Sequence, residues 1–189
     1  DYGLELLEAL TPLNKLWGGL AMVSTANDPE LLEALEREGC QYLLCGFESL
    51  SKTSLDSVNK RFNRVEDYGG AVEAFHDHGI SVQGCFIFGL DDDLPDIFHQ
   101  TVEAVNDMKV DIPRFAISTP YPGTELFQKL EQEGRLLHTH WPHYDTQHVV
   151  FQPTHMSPEE LAEIEAQAAA ARKARQAGTD EPTPGGGTE

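Results

Sequence analysis

Four short apolar runs, separated by stretches of helical periodicity, constrain this chain more than any other feature. They are Leu20-Ala21-Met22-Val23, Tyr42-Leu43-Leu44-Cys45-Gly46-Phe47, Val82 to Phe88, and Arg114-Phe115-Ala116-Ile117-Ser118. A strand with one wet face alternates apolar and polar residues, whereas a continuous apolar run marks a strand covered on both faces. Between the runs, Leu31, Leu32 and Leu35 form a helical stripe that stops at Gly39, and Val72 and Phe75 belong to a second that stops at Gly79. A further helix spans about Leu94 to Met108. Strands alternating with helices predict an α/β fold with a parallel sheet built from right-handed β–α–β crossovers.

Local punctuation supports these elements. Asn27-Asp28-Pro29 is a helix N-cap followed by proline at the first helical position, and Ser157-Pro158-Glu159-Glu160 is a capping box of the same design. A helix is expected near Glu125 to Glu133, then an irregular segment from Leu137 to Pro153. The tail from about Gln176, with Gly185-Gly186-Gly187, is expected to be disordered. These signals divide the chain at 1–135, 136–175 and 176–189. The first residues open inside a helical leucine pattern without a start methionine, so the chain reads as a fragment.

Length and charge narrow the function classes. A chain of 189 residues suits one core. Its 32 acidic against 13 basic residues give a net charge of −19, which repels phosphate backbones, so nucleic acid is not an expected partner. No apolar run approaches the roughly 18 residues a membrane span needs, and the N-terminus lacks a signal peptide's basic start, so a cytoplasmic location is expected. Three cysteines without tight spacing fit reduced thiols rather than a disulfide framework.

In parallel α/β folds ligands bind where the strands end. Here those ends are Ser24-Thr25-Ala26-Asn27, Glu48-Ser49, Asp91-Asp92-Asp93 and Ser118-Thr119. Glu48 could accept two hydroxyl hydrogen bonds from a ribose with Ser49 beside it, or both could merely cap the next helix. Gly84 and Gly89 flank an apolar strand, where a flat ring could lie on the backbone or a helix could pack closely. The three aspartates offer hard oxygen ligands, but Asp93 before Leu94-Pro95 reads better as a helix cap. His138, His140, His143, His148 and His155 could hold a metal, yet no pattern makes them converge, and surface or packing roles are the plainer reading. No metal ligand is assigned.

The segments Gly46-Phe47-Glu48-Ser49-Leu50-Ser51, Phe86-Ile87-Phe88-Gly89 and Thr119-Pro120-Tyr121-Pro122-Gly123-Thr124, in this order, are similar to the later half of radical SAM enzymes. Asp145-Thr146-Gln147-His148-Val149-Val150-Phe151 resembles the segment after the barrel in the branch whose radical SAM domain follows a cobalamin-binding domain. The resemblance implies a partial (β/α) barrel, of which this chain carries about four parallel strands and C-terminal helices. It implies that Glu48 and Ser49 contact the ribose of S-adenosylmethionine (SAM), that Lys60 reaches its carboxylate, and that Ile87 and Gly89 border its adenine near Ser118 and Thr119. Two positions depart from the pattern: Cys85 stands where the family has glycine, and Asp92 where it has a longer acid.

The family's three-cysteine loop, which holds a 4Fe-4S cluster, is absent from this chain. The expected cofactors are therefore SAM, a 4Fe-4S cluster whose ligands lie elsewhere, and cobalamin through an upstream domain. The implied activity of the full-length parent is methyl transfer or rearrangement of a small or lipid-like substrate. The expected protein partner is the missing N-terminal part of the same protein. The alternative is a truncated, non-catalytic remnant or a nucleoside- or protein-binding module. An ordinary barrel lyase or aldolase is less well served, because no strand ends in lysine.

Overall fold

A computed structural model of the chain describes residues 2–58 and 60–179. Its elements run α1 (Tyr2–Leu10), β1 (Trp17–Ala21), α2 (Pro29–Arg37), β2 (Cys40–Glu48), α3 (Lys52–Ser57), α4 (Tyr68–Asp77), β3 (Ser81–Phe88), α5 (Ile97–Asp107), β4 (Ile112–Ile117), α6 (Glu125–Gln132) and α7 (Pro158–Thr179). The four strands form one sheet in the order β1-β2-β3-β4, every pair parallel. The fold class is thus α/β with four parallel strands.

The caps form as their chemistry dictates. Asp28 accepts the Leu31 N–H at 3.1 Å with Pro29 opening α2. Ser157 and Glu160 satisfy each other's backbone N–H groups at 2.7 and 3.1 Å. Helix α7 continues to Thr179, so it overlaps the first residues of the expected tail, and residues 180–189 lie outside the described ones.

Two expectations are revised. Strand β1 begins earlier than its apolar run, at Trp17, because Gly18 and Gly19 pair with Tyr42 and Leu43. A Cβ on Gly18 would stand 2.7 Å from the Tyr42 ring, so a side chain there would displace that ring. Val23 leaves the strand for a 3-10 turn over Val23–Asn27.

The second revision concerns the faces of the sheet. Leu43, Cys45, Phe47, Val82, Phe86, Phe88, Phe115 and Ile117 are buried on one face, beneath α4 and α5 residues such as Tyr68, Val72, Phe75 and Phe98. Aromatic rings dominate this layer: Phe47 stacks on Phe86 at 5.3 Å, and Phe98 meets Phe115 edge-on at 5.7 Å. The opposite face, with Tyr42, Leu44, Gly46, Gln83, Cys85, Ile87 and Ala116, is only half-buried, and Leu20 beside it is 83% exposed. The continuous apolar runs promise two covered faces, yet the chain's own helices cover one.

Helix α7 packs across the end of β3. Gly89 has φ +86°, and a Cβ there would meet Leu161 of α7 at 2.7 Å. Of the two readings of this glycine, the fold supplies close helix packing.

Candidate functional site

The carboxyl end of β2 is built around an irregularity. The β2–β3 register shifts between Gly46 and Glu48, and Glu48 takes φ +68°, a left-handed conformation that non-glycine residues seldom hold. The turn that results folds the Glu48 carboxylate back over Gly46, where a Cβ would lie 2.5 Å from Oε1. Surrounding donors hold the bend. The Asn63 amide donates to the carbonyls of Gly46 and Phe47 at 2.9 and 3.2 Å, and the buried Tyr68 hydroxyl donates to Phe47 at 2.6 Å. Burial pushes the Tyr68 phenol well above its usual range, so it remains a donor.

The sequence-predicted residues fall into two groups. Glu48 and Lys60 meet directly, with Lys60 Nζ 3.0 Å from Glu48 Oε1, so the lysine is neither free in solvent nor remote from the acid. Among the described residues Glu48 Oε2 has no partner, which leaves one carboxylate oxygen as an acceptor. Ser49 is buried, and its Oγ accepts the Ser51 N–H at 3.0 Å; this is the turn-capping role the sequence left open.

The second group lies at the ends of β3 and β4. Ile87 is half-buried on the open face, opposite Ala116. The Ser118 N–H donates to the Phe88 carbonyl at 2.8 Å, carrying the ladder past the strand ends. Thr119 Oγ1 donates to Ile117 and accepts the Thr146 N–H, at 3.1 and 3.2 Å. A cavity of about 420 Å³ opens here, lined by Gly89, Leu90, Asp91, Ser118, Lys129 and Phe151 among others.

The aspartates after Leu90 divide their labour in a way the sequence does not reveal. Asp93 does not cap α5. It turns back, is almost fully buried, accepts the N–H groups of Gly89 and Leu90 at 3.0 Å each, and accepts the Ser54 hydroxyl at 2.7 Å. Burial pushes its pKa up, while Ser54 and the two amides pull it back. This bridge ties α3 to the end of β3 and thereby connects the two groups. Asp91 instead binds Lys129, Arg135 (2.8 Å) and Thr154 (2.9 Å). Burial opposes its charge, but those donors outweigh burial and hold Asp91 down at about 2.

Asn63, Tyr68, Ser54 and Asp93 are the residues that sequence reasoning missed or misassigned. Asn63 and Tyr68 act on backbone 16 to 21 residues away, and Ser54 meets the Asp93 carboxylate 39 residues on, contacts that no local spacing announces.

The cysteines do not suit an iron–sulfur cluster. Cys40 and Cys45 are buried, Cys45 on the helix-covered face of the sheet, while Cys85 is on the open face. Burial, with neighbouring thiols adding, pushes the Cys45 thiol up to about 12, far from the thiolate a metal needs. Rings of His138, His140, His143 and His148 gather at centroid separations of 4.4 to 6.5 Å. Among the described residues, however, no three His, Cys, Asp or Glu are disposed to hold a metal ion. Among them, too, no helix is long and apolar enough to cross a membrane.

Comparison with known proteins adds the following. No family model matches the chain. It is 38% identical over 162 residues to the bacteriochlorophyllide d C-12(1)-methyltransferase of Chlorobaculum tepidum, a match covering 86% of this chain and 35% of that protein. Coproporphyrinogen III oxidase of Escherichia coli, a radical SAM enzyme, superposes with a TM-score of 0.63 at 16% identity over 90% of this chain and 36% of that one. The radical SAM methyltransferase TsrM of Kitasatospora setae, solved with cobalamin and a 4Fe-4S cluster, gives 0.59 at 16% identity over 69% and 27%. The chain therefore spans about a third of the length of the first curated relatives it matches.

Proposed function

From the premise that this chain is homologous to part of the cobalamin-binding radical SAM methyltransferases, we propose that it carries the ribose and adenine side of a SAM site. The observation that carries the reading is Glu48, a carboxylate held by a left-handed bend at the end of β2 with one oxygen unpartnered. A carboxylate so placed accepts both hydroxyls of a ribose, and Lys60 holds its other oxygen in place. Ile87 supplies an apolar surface for adenine, with Gly89, Ser118 and Thr119 at the neighbouring strand ends. Ser49 positions the bend through its bond to Ser51.

SAM, when bound, supplies a sulfonium with a transferable methyl group. The residues present fit its nucleoside half. They do not fit the cluster, and no step through a cluster is assigned to this chain. In the full-length parent we assign the chemistry to methyl transfer on a small molecule, with cobalamin and the cluster held outside these residues.

Calorimetry of the purified chain with SAM, and separately with adenosine, tests the reading. Binding of both, weakened about tenfold or more by Glu48→Gln without a comparable loss of stability, is the expected result. A chain that folds but binds neither ligand would favour the non-catalytic remnant.

A further inference from the structure

On the half-open face of the sheet lies a second, shallower pocket of about 360 Å³, lined by Gln83, Arg114 and Gln147 among others. Arg114 stands on β4 opposite Cys85 of β3, with an exposed side chain. Among the described residues that side chain makes no ion pair and no hydrogen bond. The contrast within the chain is plain, since Arg37, Arg61, Arg64 and Arg135 each reach a carboxylate. In a chain of net charge −19, an arginine without a carboxylate partner stands apart from those four.

The neighbours reinforce this. The Tyr42 hydroxyl donates to the Gln83 amide oxygen, so the Gln83 amide nitrogen keeps its donors for the pocket. Apolar residues flank these polar groups on the same face: Leu44 lies beside Gln83, and Ala116 follows Arg114 by two positions on β4. A guanidinium and an amide donor lining one pocket match a carboxylate, which arginine binds through two parallel hydrogen bonds. An apolar surface beside that fork matches a hydrocarbon body.

We propose that Arg114, assisted by Gln83, binds a carboxylate, and that the ligand on this face is an amphipathic carboxylic acid whose apolar part rests on Leu44 and Ala116. That this ligand is the substrate of the parent enzyme rests on the proposed function; the carboxylate contact itself does not.

The test titrates the whole chain with 3-phenylpropionate and with its neutral isostere 3-phenylpropionamide, following the arginine Nε–H resonances by NMR. The acid should bind about tenfold tighter than the amide and shift the Arg114 resonance, and Arg114→Gln should bring the ratio close to one. Arg114→Lys should restore part of it. Glu48→Gln should leave the ratio unchanged while weakening adenosine, so failure of the SAM reading and failure of the carboxylate reading are separable. Equal affinity for acid and amide, or a ratio that survives Arg114→Gln, overturns the proposal. Should that variant not fold, the ratio and the Arg114 shift on the unaltered chain decide: an absent shift overturns it.

Discussion

The bend at Glu48 shows how single residues hold a carboxylate in place. A non-glycine residue at φ +68° carries a conformational cost of about 1–3 kcal/mol, which persists only when neighbours enforce it. Asn63 and Tyr68 do so by donating to the carbonyls on either side of the register shift. Tyr68→Phe, which leaves the buried Phe47 carbonyl without its strongest donor, is expected to lower stability by about 1–2 kcal/mol in urea unfolding. It should also weaken adenosine binding, because Glu48 loses its restraint. Gly46→Ala separates the two effects. Its Cβ would meet the flexible end of Glu48 at 2.5 Å, so the carboxylate can move aside without disturbing the sheet. Stability should change by less than about 1 kcal/mol while calorimetric affinity for adenosine falls about tenfold.

At the scale of elements, the loop after β3 is anchored from three directions. Asp91 joins it to α6 through Lys129 and to the following segment through Arg135 and Thr154. Its pKa near 2 lies below the ordinary carboxylate value of 3.8, so the charged form is favoured in the folded chain. The resulting stability is present above about pH 4 and is lost as pH falls toward 2. Asp91→Asn should therefore cost about 1–2 kcal/mol at pH 7 and almost nothing at pH 2, as read by urea midpoints at both values. Gly89 anchors the same region by fit. Gly89→Ala, strained at φ +86° and 2.7 Å from Leu161, should cost at least about 1–3 kcal/mol and loosen α7 in hydrogen exchange. These elements were legible in the sequence where the determinant is local: Asp28 with Pro29, and Ser157 with Glu160, cap helices within four residues. Asp93 was misread as a cap because its partners include Ser54, 39 residues away. A side chain with several possible acceptor roles takes the one that tertiary packing offers.

At the scale of the whole molecule, the sheet has one finished face and one open one. Edge strand β1 presents Leu20, 83% exposed, beside the half-buried Leu44. An apolar edge of this kind invites pairing between chains. Leu20→Lys is expected to reduce concentration-dependent association in sedimentation velocity while changing stability by no more than about 0.5 kcal/mol. The sequence by itself determined the number of strands, their alternation with helices and their parallel pairing, because apolar periodicity and cap chemistry act over a few residues. It also placed Glu48, Ser118 and Thr119 at strand ends. Only the tertiary structure decided that the Glu48 carboxylate folds back on Gly46 and pairs with Lys60, that Asp93 joins α3 to the end of β3, and that Arg114 stands unpaired on the open face. Those outcomes depend on register and on distances between residues far apart in the chain, and periodicity carries no information about either.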